Sequence, residues 1–240
     1  MVKYEEALKK PFTDLGRLIL GIIFSGIPIV NLISQGFILE CSGLGKNKPS
    51  KKLPEWKKFG DLFVKGLISY IIIFIYMIPS MIVLTVAMGY AATSILPVLV
   101  GVMPEGFMSS LMAGQISTME LRTALSENIV FLLPSLITVG LATLPLVLLG
   151  LVLLFTSVFL SPIAVLNYLK NKKFAKAFDF SFVITKALTG KYFLGWVVAG
   201  VIAIVLKLVL SPIPWIGPAL AIFISGVIAY SLFGQIYRER

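Results

Sequence analysis

The chain has no histidine and a single cysteine, Cys41, and those two counts remove most enzyme chemistry. A serine nucleophile activated by histidine, a cysteine–histidine pair and the HExxH zinc motif all need an imidazole. A catalytic zinc would have to rest on Cys41 and carboxylates, a poor donor set for that ion. One cysteine excludes a disulfide framework, and a lone cysteine in an apolar chain behaves as a small hydrophobe. The segment Gly43-Leu44-Gly45-Lys46-Asn47 lacks both the upstream glycine and the Ser/Thr of a phosphate-binding loop. The expectation is a protein that is not an enzyme, with no catalytic residues, no metal site and no cofactor.

Polar residues inside apolar runs are the next place to look, because they mark substrate paths in membrane proteins. They are Asn31, Gln35, Glu40, Asn167, Lys207 and Gln235. Asn31 and Gln35 are four apart, on one helical face, just after Pro28. That placement suits a polar lining at an interrupted helix. The competing reading carries more weight: the two amides satisfy backbone groups freed by the proline. No acid falls in mid-run, which argues against a proton-coupled pump.

These residues must be positioned by elements, and composition says in what solvent. Of the 240 residues, 58% are hydrophobic and 13% charged, against about 45–50% and roughly 25% in a soluble domain. Uncharged runs cover 18–39, 66–104, 128–169 and 192–237, the last interrupted only by Lys207. A spanning helix needs about 20 apolar residues. One integral membrane domain over 1–240 follows. Acids near the N-terminus and the lack of a small-residue cleavage site predict no removed signal segment.

Charge sets the expected orientation. Segment 40–66 holds seven lysines against Glu40, Glu55 and Asp61, and 170–191 holds six against Asp179. Segment 101–128 has Arg122 against Glu105, Glu120 and Glu127. Short basic loops stay in the cytoplasm, so 40–66 and 170–191 are expected inside and 101–128 outside, in a multi-pass protein of the cytoplasmic membrane. The net charge of +10 then suits anionic lipid headgroups, and no nucleic-acid motif accompanies it.

The expected elements are a hairpin or kinked span at 18–39, spans at 68–100, 129–169, 192–210 and 218–237, and an outer loop at 101–128. Lys9, Lys10 and Arg17 put the N-terminus on the side of 40–66, which favours a re-entrant hairpin broken at Pro28 over one kinked crossing. Pro212, Pro214 and Pro218 break the last run into a hairpin with Trp215 at its tip. Segments 53–67 and 172–188 carry aromatic stripes (Trp56, Phe59, Phe63; Phe174, Phe178, Phe182) beside lysines. They are expected as two cytoplasmic interfacial amphipathic helices, with Trp56, Lys57, Lys58, Lys65, Lys173 and Lys176 as headgroup contacts. Ala221, Ser225 and Ala229, spaced by four, make a small-residue packing face. Ser117-Thr118-Met119-Glu120 reads as a capping box that starts a helix. Phe59–Lys65 and Phe178–Val183 echo one another weakly, as duplicated halves do.

Several segments occur in an order that resembles a known family: Glu6-Ala7-Leu8-Lys9-Lys10-Pro11-Phe12-Thr13-Asp14, Ile27-Pro28-Ile29-Val30, Leu53-Pro54-Glu55-Trp56, Phe59–Gly66, Ala177-Phe178-Asp179-Phe180 and Gly234-Gln235-Ile236-Tyr237. The chain is similar to the domain-of-unknown-function family numbered 4013, polytopic membrane proteins frequent in archaea. The resemblance implies an integral membrane protein and brings no activity and no functional residues.

The fold class expected is all-α, a polytopic transmembrane bundle. Two functions remain open: a lipid-interacting scaffold or accessory component of a membrane complex, and an oligomeric channel or transporter for a small solute or ion with the Pro28 hairpin lining its path. Membrane lipids are the expected partners, with a second copy or another membrane protein as further ones.

Overall fold

A computed structural model describes residues 2–45, 50–103 and 106–239. Lys46, Asn47, Lys48 and Glu105, which entered the motif and charge arguments, lie outside the described residues. Among the described residues there is helix and turn and no strand. Four helices among the described residues are long and apolar enough to cross a membrane: α4 (Phe59–Val102), α7 (Ile129–Asn171), α9 (Gly190–Leu210) and α10 (Ile216–Arg238). This is the all-α polytopic architecture that the runs predict.

The chain divides into two compact units, Met1–Tyr76 with Ser157–Arg240, and Met77–Thr156. The first begins with α1 (Tyr4–Lys9) and a 3-10 turn (Lys10–Thr13). Asp14 then caps α2 (Leu15–Gly26), its carboxylate accepting the Arg17 N–H at 3.0 Å, which satisfies one of the helix's orphan donors. The chain turns at Pro28 and returns as α3 (Asn31–Glu40). At 12 and 10 residues, α2 and α3 are each about 15–18 Å long and short of a membrane's thickness. Ser25 and Ser34 share a hydrogen bond of 2.6 Å between them.

Both proline turns of this unit have the same local shape. Ile29, after Pro28, sits at φ +69°, and the Val30 N–H reaches back to the Pro28 carbonyl at 2.8 Å. Trp215, after Pro214, sits at φ +63°, and the Ile216 N–H reaches the Pro214 carbonyl at 2.7 Å. Each is a tight three-residue turn at a φ that bulky residues rarely adopt. Pro218 departs from its expected place as a break. It lies in the first turn of α10, where a missing N–H costs nothing.

The core of this unit is built on α10, from Phe223, Val227, Leu232 and Phe233, with Phe37 to Leu39 of α3, Ile163 to Leu166 of α7 and Tyr192 of α9. The Tyr192 hydroxyl donates to the Phe159 carbonyl at 2.6 Å and the Tyr76 hydroxyl to the Ala177 carbonyl at 2.7 Å, so these large rings are buried without an orphaned polar atom.

The two segments expected as amphipathic helices take other forms. Residues 53–57 carry no helix; α4 begins at Phe59, after Lys58 at φ +58°, and runs on through Lys65 without a break. Trp56 is therefore off the helix that its spacing suggested. Lys172, at φ +55°, ends α7. A 3-10 turn (Phe174–Phe178) follows, and Asp179 caps the short α8 (Phe180–Ala187). Phe178 stacks near Tyr76 at 5.8 Å and Phe182 lies 5.7 Å from Tyr237, so two of the three stripe rings are spent on protein contacts.

The second unit holds the remaining stretches of α4 and α7 with α5 (Phe107–Met112) and α6 (Thr118–Glu127). The expected outer loop is thus partly helical. The capping box at Ser117 and Glu120 is formed in both directions. Val130, Met88 and Phe131 are among many large apolar side chains here that are more than two-thirds exposed, a surface that suits lipid and not water.

Candidate functional site

One end of the first unit gathers most of its charge, and α3 sets the geometry. A helix leaves its last carbonyls without partners. Here the Lys10 Nζ donates to the Cys41 carbonyl at 2.7 Å, and the Arg238 guanidinium donates to the Ser42 carbonyl at 2.8 Å. Cations at a helix C-terminus are favoured by its dipole. Lys10 is only 6% exposed, and burial pushes its ammonium below the usual lysine range. Neither cation forms an ion pair among the described residues. They line a cleft of about 390 Å³ with Lys3, Glu6, Gln235 and Glu239. The rim acids are occupied: Glu6 lies between Lys3 (3.3 Å) and Lys51 (3.0 Å), and Glu239 pairs with Lys191 at 2.6 Å.

Beside it, Glu40 at the end of α3 is buried, 3% exposed, and meets Lys65 of α4. Lys65 also holds Asp61 at 2.8 Å. Its ammonium is committed inside the protein, which removes Lys65 from the expected headgroup contacts. Trp56 is likewise tied down. Its ring stacks flat on Phe37 (3.8 Å, 10°) and edge-on to Phe24 (5.2 Å), while its N–H donates to the Arg17 carbonyl at 3.1 Å. Arg17 in turn donates to the Leu53 carbonyl at 2.6 Å, strapping 53–56 across the base of α2.

Of the other lysines, Lys57 pairs with Glu55, and Lys176 with Asp179 at 3.1 Å. Lys52, Lys58, Lys172 and Lys173 are exposed and make no ion pair among the described residues. Lys172 shares a hollow with Gly45, Asp61, Lys65 and Tyr168. The starts of α4 and the end of α7 therefore meet, and two basic segments far apart in sequence lie together.

The two residues of the expected polar lining, Asn31 and Gln35, are both half-buried on α3. Asn31 is half-buried where α3 starts, its N–H bonded to the Ile27 carbonyl at 3.0 Å. The Gln35 side chain lies against the Tyr230 hydroxyl of α10. On α10, Ala221 is buried and Ala229 packs against the core, while the Ser225 hydroxyl turns back to the Ala221 carbonyl. Gly234 of this helix lies close against the main chain of Ser42.

Asn167, one of the polar residues that the sequence singles out, and Lys10, which it does not, have the more developed surroundings. Asn167, 3% exposed, accepts from the Tyr237 hydroxyl at 2.8 Å and donates to the Lys176 carbonyl at 2.7 Å. It joins α7, α10 and the 3-10 turn. Lys10 drew notice only as a charge, since nothing in the local sequence says that it is buried. Among the described residues, no group of three or more His, Cys, Asp or Glu gathers to hold a metal ion.

Residues 19–215 match a family model described as a protein of unknown function, DUF4013. No curated protein and no solved structure matches the chain.

Proposed function

We propose, starting from a chain that belongs to the DUF4013 family, that it is a multi-pass membrane protein without catalytic chemistry. In this reading it serves as a lipid-interacting scaffold or accessory component of a membrane complex. The observation that carries it is the meeting of the start of α4 with the end of α7 around Asp61, Lys65 and Lys172, where Lys58, Lys172 and Lys173 of those two segments are exposed and without ion pairs among the described residues. Exposed lysines beside apolar helices attract anionic headgroups at roughly 1 kcal/mol each, and this end is then the cytoplasmic one. The α2–α3 hairpin, too short to cross, enters from that face and returns to it.

Permeation through the hairpin is supported less well. Ser25, Ser34 and Gln35 are engaged with neighbouring helices or with each other, as packing requires.

The test is native mass spectrometry of the protein released from its own membrane. A monomer or dimer that keeps anionic lipid, or a co-released partner protein, is the expected result. A ring of several subunits with no retained lipid would overturn the scaffold reading and favour the channel.

A further inference from the structure

Lys10 and Arg238 put two full positive charges at the end of α3, each donating to a main-chain carbonyl and neither forming an ion pair among the described residues. The dipole of that helix offsets about half of one elementary charge. A buried ammonium without a counter-ion is among the least favourable arrangements in a folded protein. The nearby acids do not answer it, because Glu6 and Glu239 are held by Lys3, Lys51 and Lys191. Donors are left over. Each ammonium has three N–H groups and each guanidinium five, and one on each is used for a carbonyl. Gln235 accepts the Lys3 N–H through its oxygen at 2.7 Å, which leaves its amide nitrogen as a further donor.

An anion with several acceptor oxygens fits this cleft, and its volume of about 390 Å³ exceeds what one water or chloride needs. We propose that the cleft between the 3-10 turn at Lys10 and the C-terminal end of α10 binds a phosphate group through Lys10 and Arg238. Guanidinium and ammonium groups together suit a phosphate ester, the first by its planar fork and the second as a point charge. The group is carried either by an anionic phospholipid headgroup or by a soluble phosphate ester. The first source deepens the lipid-scaffold reading by giving one headgroup a defined seat.

The experiment uses the full chain in neutral, phosphate-free detergent and reads thermal unfolding with added glycerol 3-phosphate, phosphatidylglycerol or phosphatidylcholine. The expected result is protection of the unaltered protein by one or both phosphate anions and not by phosphatidylcholine, with apparent affinity weakened at least tenfold in Lys10→Met and in Arg238→Gln. Lys10→Arg, which keeps the charge, retains the protection. Without phosphate, Lys10→Met is at least as heat-stable as the unaltered protein, since it removes an unanswered buried charge. Protection by glycerol 3-phosphate assigns a soluble ligand, and protection by phosphatidylglycerol alone assigns the headgroup.

Equal protection of the variants, or no protection of the unaltered protein in either arm, overturns the site. So does a Lys10→Met variant that loses the same stability with and without phosphate, which makes Lys10 a helix cap only. If the site fails while the protein still retains phosphatidylglycerol in mass spectra, the scaffold reading stands. If glycerol 3-phosphate protects and no lipid preference exists, the site stands and the scaffold reading falls.

Discussion

Gly36 of α3 and Gly66 of α4 face each other's helices at a reciprocal crossing: a Cβ on Gly36 would overlap the Leu62 carbonyl, and one on Gly66 the Leu32 carbonyl. Small residues let helices in lipid approach to main-chain contact, where dispersion between backbones supplies the attraction. Gly36→Ala and Gly66→Ala are each expected to destabilise the protein by about 1–3 kcal/mol, the usual cost of overpacking. The double variant should cost less than the sum, because the first displacement makes room for the second. Thermal unfolding in detergent checks both, and additive losses would mean that the two glycines do not share one contact.

Asn167→Leu should cost more than Tyr237→Phe. Replacing the tyrosine removes one hydrogen bond, about 1 kcal/mol. Replacing the asparagine leaves both the Tyr237 hydroxyl and the Lys176 carbonyl without their partner, at about 1–3 kcal/mol for each buried group. Chemical unfolding of the two variants in one detergent decides the order.

Cys41 is 2% exposed, and burial pushes its thiol up to about 12. At neutral pH it is almost wholly the thiol, which does not attack alkylating agents. Maleimide labelling of the folded protein should be slow and limited by local opening around the end of α3, and at least a hundredfold faster in denaturant. Fast labelling of the folded protein would show that this end is open.

Two groups predict opposite limbs of the pH–stability curve. The Lys191 ammonium beside Glu239 holds that carboxyl at about 2, below its ordinary 4.5. Its contribution is complete above pH 4.5 and is lost as pH falls towards 2. Lys10 is depressed by burial below 10.5, so the unfolded chain binds its proton more readily. Stability should therefore rise with pH from Lys10's folded value up to 10.5. Glu239→Gln should flatten the acid limb and Lys10→Met the alkaline one, read as melting temperature against pH.

Much of the architecture was legible from local sequence. Runs of uncharged residues located α4, α7, α9 and α10, because a helix in lipid must keep charge out over about 20 residues. Ser117 and Glu120 announced the start of α6, since a capping box is complete within four residues. Where an element's form depends on partners, the reading failed. The spacing of Trp56 with Phe59 and Phe63 was helical, yet Trp56 stacks on Phe37 from an extended strap.

The sequence alone determined that this is an apolar, multi-helical chain with basic segments flanking its runs, because solvent preference is a property of each residue. Only the tertiary structure decided which charges are spent and which remain. Lys65 and Lys10 carry the same side chain. One is neutralised by Glu40 and Asp61 and the other donates to the Cys41 carbonyl with no ion pair among the described residues, because charge pairing depends on distances between segments that only packing brings together.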